Sequence, residues 1–342
     1  MRKKNITVRD IAREANVSVA TVSRFINNKG VLSEETAAKV QFVIEKYNFI
    51  PNELARSLYT KKSKMLGFVV PDITNGFYSQ LCLEVEKSAV ELGYNVFLCN
   101  SMNDRKLESL YLEKLAERQV DGIILAGGRI NDTINNPEHI DEMKKILPHV
   151  PVVMINGKMD GVESYRVFSD EKEAVFKMLQ YLTNLGHRKI GLIGGSSGIT
   201  SFDIKKDAFL EAADKMKFVY KDQWIIEGGY SIEGGIVSMS KLLQNAEMPS
   251  AVIAINDLVA AGALKVCNKQ RVRIPDELSI IGFDNIDLCK VTKPELTTMA
   301  HPYEKLGKKA VEAVNKLVNG EIPELEISLD TELVIRDSCR RI

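Results

Sequence analysis

The side chains best suited to making contacts lie in one short stretch near the N-terminus. Ser18, Thr21, Ser23, Arg24 and Asn27 recur along Val17-Ser-Val-Ala-Thr-Val-Ser-Arg-Phe-Ile-Asn27. Hydroxyls and an amide are short donors that suit phosphate oxygens, and a guanidinium is a two-pronged donor that suits a guanine edge. Catalytic chemistry finds no such footing. The four histidines (His139, His149, His187, His301) have no metal-ligand spacing, and neither HExxH nor CxxC occurs. Gly191-Leu-Ile-Gly-Gly-Ser-Ser-Gly198 looks like a phosphate loop but lacks the Walker lysine and the GxGxxG spacing. Small residues where a strand meets a loop account for it better, and His187 ahead of that strand is expected to be structural. No catalytic residue, metal or cofactor is expected.

Apolar spacing shows which elements hold the donors. Ile11, Ala12 and Ala15 share one helical face, and Val22, Phe25 and Ile26 share another. Ala12 is small where two helices must cross, and Asn16 sits at the turn, where a left-handed backbone is wanted. Thr7 with Asp10 makes a capping-box start for the first helix, and Ser18 caps the second. Ser33 caps a third helix, with Glu34 and Glu35 at its positive end. Ala37, Val40, Ile44 and Tyr47 are its predicted buried stripe, and Asn48 its end. This is a helix-turn-helix with one supporting helix, and Arg24, between Ser23 and Phe25, must point outward. Charge agrees: residues 1–64 carry thirteen Lys/Arg against six Asp/Glu, whereas the chain as a whole balances at 46 against 46. A basic head on an acidic body suits a polyanion.

Thr7-Val-Arg-Asp-Ile-Ala12, the Val17–Asn27 stretch and Ile50-Pro-Asn-Glu-Leu-Ala-Arg-Ser-Leu58 closely resemble the lactose/galactose-repressor (LacI) family of bacterial transcription regulators. The resemblance continues along almost the whole chain. It implies that Val19, Ala20 and Arg24 meet major-groove bases, and that Thr7, Ser18, Thr21, Ser23 and Asn27 hold the phosphate backbone. Residues 51–64 alone would be a marginal helix, too short to persist in water. By resemblance they are a hinge helix that orders when two copies meet over the minor groove, with Leu58 as the wedge and Ala55 beside it.

From Met65 onward, apolar runs alternate with helical patterns. The runs are Met65–Val70, Tyr94–Cys99, Gly122–Ala126, Pro151–Ile155, Ile190–Gly194, Ala251–Ile255 and Ser279–Gly282. Such alternation predicts parallel α/β sheets, and the length suits two lobes. The resemblance implies a two-lobed, periplasmic-binding-protein-like effector domain over 65–342, with crossovers near Ser164, Lys293 and Pro323. That gives an N-lobe of about 65–163 and 294–323 and a C-lobe of about 164–293 and 324–342, behind a head of 1–50. Ligands of such folds bind at strand carboxyl ends, here between the lobes. The family's cleft positions fall on Asn75, Phe77, Tyr78, Asn156, Lys205, Tyr230, Asp257 and Asp284. Lys205 stands where arginine is usual, Gly76 where proline is usual, and Asn156 where aspartate is frequent. Each of Asp257 and Asp284 could instead cap the segment that follows it.

The expectation is a DNA-binding repressor of a sugar-utilisation operon: a homodimer on a palindromic operator, answering to a sugar or sugar phosphate. Regulation by a nucleobase or by a phosphorylated carrier protein stays open, while a solute-binding protein or nucleotide-dependent enzyme fits less well. The tail from Ser328 to Ile342 has no heptads, so a coiled-coil tetramer is not expected. The longest apolar runs are far below a membrane span and the charged N-terminus has no apolar core behind it. Five scattered cysteines point to free thiols, and the expected location is cytoplasmic.

Overall fold

The computed structural model describes residues 6–26, 32–49 and 62–342. Asn27, Ala55 and Leu58, and most of the expected hinge, lie outside the described residues. The chain divides into two compact units, Met1–Ser63 and Lys64–Ile342.

Three helices build the described part of the first unit: α1 (Val8–Glu14), α2 (Val19–Ile26) and α3 (Glu34–Lys46). Thr7 and Asp10 form the capping box on α1, and Asn16 takes a φ of 52° at the turn. The Ser18 hydroxyl accepts from Thr21 N at 3.1 Å, so α2 is capped as its sequence implies. Ile11, Ala12, Ala15, Val22, Val40 and Val43 close a small core, to which Phe25, Ile26 and Ile44 contribute partly. Tyr47, expected in the buried stripe of α3, is 39% exposed, because it follows the last helical residue and Val43 takes its place inside. Lys46 and Glu14 pair at 2.6 Å and join the ends of α3 and α1.

The second unit holds two six-stranded sheets. The first runs β11-β5-β4-β3-β1-β2 and is parallel throughout: β1 (Met65–Val70), β2 (Asn95–Asn100), β3 (Gly122–Ala126), β4 (Val152–Ile155), β5 (Tyr165–Ser169) and β11 (Glu326–Leu329). The second runs β12-β10-β9-β8-β6-β7: β6 (Ile190–Ile193), β7 (Ile225–Ile226), β8 (Ala251–Ala254), β9 (Ser279–Asp284), β10 (Thr297–Ala300) and the antiparallel β12 (Glu332–Val334). In the first lobe, α4 (Gly76–Glu91) and α11 (Tyr303–Val318) cover one face, with Leu81, Val85, Leu306 and Ala310 against Leu66 and Phe68. On the other face, α5 (Arg105–Glu117) and α6 (Pro137–Ile146) pack Leu112 and Met143 against Val69 and Ile123. Helices α7 (Glu171–Asn184), α8 (Thr200–Met216), α9 (Ile232–Leu242) and α10 (Asp257–Gln270) enclose the second sheet around Phe209, Trp224 and Ile280.

The lobe boundaries differ from expectation in a consistent way. β5, β10 and β11 each stay in the sheet that the chain is about to leave. The crossovers therefore fall one strand later than Ser164, Lys293 and Pro323: between β5 and α7, between β10 and α11, and between β11 and β12. These short strands pair beside established neighbours before the chain departs, and none is a long apolar run. The glycines at 235 and 262 let α9 and α10 cross closely, since a Cβ at either would strike the other helix's carbonyl at Val259 or Ile232.

Candidate functional site

On the head, the four-residue rhythm of α2 divides its side chains. Val22 is fully buried, whereas Ala20, Ser23 and Arg24 are exposed and Val19 is 45% exposed. Ser18 Oγ and Thr21 Oγ1 lie 2.8 Å apart at the start of the helix. Thr7 uses its hydroxyl within the capping box, donating to Asp10 Oδ2 at 2.7 Å. The structure thus places Thr7, Ser18, Val19, Ala20, Thr21, Ser23 and Arg24 on or beside the outward side of the helix pair.

On the body, a cavity of about 700 Å³ opens between the lobes at the strand carboxyl ends. Asn75, Phe77, Tyr78, Asn156, Lys205, Tyr230 and Asp284 line it, as the sequence led us to expect. Asp257 does not. It is fully buried, accepting from Thr298 Oγ1 at 2.6 Å and Ile286 N at 3.0 Å, and so ties α10 to β10 and to the loop after β9. Burial and the neighbouring Asp284 hold its carboxyl well above the usual range. Asp257 is thus a buried tie of the frame and not a cavity residue, and the cap of α10 is its neighbour Asn256.

Each remaining residue is held by a local cause. Asn75 caps α4 through Phe77 N at 3.0 Å. Phe77 stacks edge-on against Tyr78 (5.0 Å) and His301 (4.9 Å). Tyr78 fills the space beside Gly127, where a Cβ would collide with its hydroxyl. Asn156 sits at φ 62° and accepts from Ser169 N at 2.9 Å. The Tyr230 carbonyl accepts from Asn256 Nδ2 at 3.0 Å, while Asn256 Oδ1 caps α10. Asp284 ends β9 at φ 108°, a backbone strain that a non-glycine residue keeps only where its surroundings enforce it. Burial raises its carboxyl to about 7, with Lys205 acting against the rise and Glu171 with it. Lys205 pairs with Glu171 at 3.1 Å and lies 3.9 Å over the Phe283 ring, so its charge is already matched. A lysine there offers a point charge, not the two-pronged fork of arginine.

Sequence reasoning missed Arg105, Glu171 and His301, all on the cavity wall. Arg105 grips Asp132 with two bonds of 2.7 and 3.2 Å. Nothing local in sequence singles out these three, because their partners are distant. The lobes also meet at the cavity mouth: Thr133 Oγ1 donates to Asp203 Oδ2 at 2.8 Å and Thr200 Oγ1 to Asn131 O at 3.0 Å. Gly194-Gly-Ser-Ser-Gly198 carries the GxSxG spacing of a hydrolase elbow, yet the histidines of the same lobe and its hinge are engaged elsewhere. His187 bonds Ser250 and the Arg340 carbonyl, joining the C-terminal segment to the second lobe, and His301 bonds Ser169. Gly195 N instead donates to Gly229 O at 2.7 Å, which makes the loop a structural turn. Among the described residues no cluster of His, Cys, Asp or Glu could hold a metal ion, and no helix is long and apolar enough to cross a membrane.

A helix-turn-helix head joined to a two-lobed body with a polar interlobe cavity defines a DNA-binding regulator with a ligand-binding domain. Comparison with known proteins agrees. The profile of the bacterial regulatory proteins of the lacI family matches residues 7–52, and that of periplasmic binding protein-like domains matches residues 179–339. Catabolite control protein A of Priestia megaterium is 33% identical over 324 residues, 94% of this chain and 96% of that protein. The lac repressor dimer bound to operator and the anti-inducer ONPF matches in fold with a TM-score of 0.86 at 22% identity, over 98% of this chain and all of that one. A LacI family regulator from Enterococcus faecium with bound ribose matches at 28% identity and a TM-score of 0.72, over 81% of this chain and 99% of its own. The chain belongs to the LacI family of bacterial transcriptional regulators, a family of DNA-binding regulators and not of enzymes.

Proposed function

We propose that the chain is a cytoplasmic repressor of a carbohydrate-utilisation operon, a homodimer whose affinity for a palindromic operator is set by a small polyhydroxy effector between the lobes. The cavity carries this reading: amide, carboxylate and ammonium groups from both lobes converge on it beside the aromatic rings of Phe77, Tyr78 and Tyr230. Hydroxyls are matched by such groups and sugar faces by such rings. The enclosed cations already have carboxylate partners, which favours a neutral sugar over a sugar phosphate.

In this proposal Val19, Ala20 and Arg24 meet bases, and Thr7, Ser18, Thr21, Ser23 and Asn27 hold phosphates. Ala55 and Leu58 enter the minor groove from the hinge. Leu83 and Val90 on α4, with Phe97 and Leu98 on the edge strand β2, are exposed apolar side chains that a second copy would cover. The test has two arms. Selection of bound fragments from a genomic library should return a palindrome, and a thermal-shift screen against D-ribose, cellobiose, glucose 6-phosphate, adenine and guanine should show stabilisation by a neutral sugar. Stabilisation by the purines alone would move the reading to a nucleobase effector, and no palindrome would remove the operator reading.

A further inference from the structure

Two cavity-lining side chains sit at the ends of central strands, one in each lobe: Asn156 after β4 and Asp284 at the end of β9. A run of polar contacts joins them. Asn156 Oδ1 accepts from Ser169 N at 2.9 Å, Ser169 Oγ lies 2.8 Å from His301 Nδ1, and His301 Nε2 lies 3.3 Å from Asp284 Oδ1. Ser169 ends β5 just before the first crossover, and His301 follows β10 at the second. The imidazole therefore reaches a different lobe with each nitrogen.

The ring's faces are divided in the same way. Phe77 and Tyr303, from the first lobe, approach it at 4.9 and 5.8 Å, and Phe283, from the second, at 5.0 Å. Burial pushes His301 down to about 3, so the ring is neutral under physiological conditions, with one nitrogen carrying hydrogen and the other accepting. A Ser169 hydroxyl donating to Nδ1 turns Nε2–H toward Asp284. Tyr303 ties the Asp284 backbone separately, donating to its carbonyl at 2.9 Å. Among the described residues, His301 is the side chain that joins the Asp284 carboxyl facing the cavity to a hydroxyl of the other lobe.

We propose that His301 is a positioning residue of the effector response: it pins the spacing between Asn156 and Asp284, and with it the interlobe angle that a ligand touching both must match or turn. The proposal rests on the effector occupying this cavity. A ligand that draws Asp284 away from the ring releases one end of the run while Ser169 holds the other. That converts a contact in the cavity into rotation at the crossovers, which is how small shifts become lobe movements.

The pin can be tested without operator or effector. Spin labels at Glu113→Cys on α5 and Lys265→Cys on α10, in full-length protein with Cys82→Ser and Cys339→Ser and diluted into unlabelled subunits, report the interlobe distance. The expected result is one narrow distribution for His301, a broadened one with a longer component for His301→Leu, and recovery of the narrow form in His301→Gln, which keeps a donor and an acceptor. Ser169→Ala, a milder change, should broaden the distribution less. A wild-type distribution in folded His301→Leu overturns the proposal; if that variant does not fold, an unchanged Ser169→Ala distribution overturns it. Either result leaves the thermal-shift screen and the operator selection untouched, so failure of the pin and failure of the proposed function are read separately.

Discussion

The head and the cleft solve the same problem, presenting polar groups to a partner, by opposite means. On the head the presenting residues are exposed, lie within one helical turn or two of each other, and are fixed by caps three residues away. In the cleft they are half-buried or buried and come from at least six separate segments, and Asn156, Lys205 and Tyr230 are fixed by bonds to other parts of the chain. A site made of neighbours depends on one helix keeping its shape, whereas a site made of strangers depends on the whole unit.

The sharpest way to break this contrast is to unfold one region and ask whether the other notices. Val22 is fully buried in a small head core, six of whose described residues are buried. Val22→Asp places a charge there at a cost of several kcal/mol, more than so small a core supplies. Operator binding should vanish while the melting transition of the body and its response to effector stay at wild-type values. A body transition that shifted by more than a degree or two would show that the units are not independent.

Asp257 tests the cleft side. Asp257→Ala leaves Thr298 Oγ1 and Ile286 N without their acceptor, a loss of about 2–3 kcal/mol for two buried donors. The body should melt earlier, with effector affinity measured well below the transition nearly unchanged. Asp284→Ala should do the reverse, weakening the effector at a smaller cost in body stability. If Asp257→Ala instead lost effector binding at full stability, Asp257 would belong to the ligand and not to the frame.

Arg24 sharpens the head. If its exposed guanidinium bonds twice to a guanine, Arg24→Ala should remove about 1–3 kcal/mol of discrimination at one symmetric base position per half-site. Affinity measured across single-base operator variants would show the preference flattened at that position alone. A uniform loss at every variant would place Arg24 on phosphate.

The same contrast explains what the sequence disclosed. Caps at Thr7, Ser18 and Ser33, the left-handed Asn16 and the apolar rhythm of α1 and α2 are local, so they were legible residue by residue. Seven strands announced themselves as apolar runs, six of them buried and β2 an exposed edge. Tyr165–Ser169, Thr297–Ala300 and Glu326–Leu329 did not, because their places are decided by pairing with strands far away, and that moved all three crossovers. Arg105, Glu171 and His301 were hidden for the same reason: each acquires its meaning from Asp132, Lys205 or Ser169. Asp257, expected in the cleft from the family resemblance, is drawn inward by Thr298, a partner forty-one positions away.

The smallest expected effect lies in the pH dependence of the body, and it divides along the His301–Asp284 contact. Burial raises Asp284 to about 7 and lowers His301 to about 3. Between the ordinary carboxylate value and about 7 the folded state binds more protons at Asp284 than the unfolded chain does, so this group's share of stability falls as pH rises. Between about 3 and the ordinary histidine value of 6.5 the unfolded chain binds more protons at His301, so that share rises with pH. In the wild type the two slopes oppose each other from pH 5 to 6.5, each limited to about 1.4 kcal/mol per pH unit. His301→Gln removes the rising term and should make the body lose stability over this interval relative to wild type. Asp284→Asn removes the Asp284 share of the falling term, leaves that of the neighbouring buried Asp257, and should make the body gain stability over the interval relative to wild type. His139 and His187, also lowered by burial, are common to all three proteins and cancel in the comparison. Urea midpoints of the body at pH 5, 5.75 and 6.5 read the two slopes directly. Parallel slopes in the two variants would mean that the imidazole and the carboxylate are not set against each other by burial, and that the hinge between the lobes is more open to water than its packing shows.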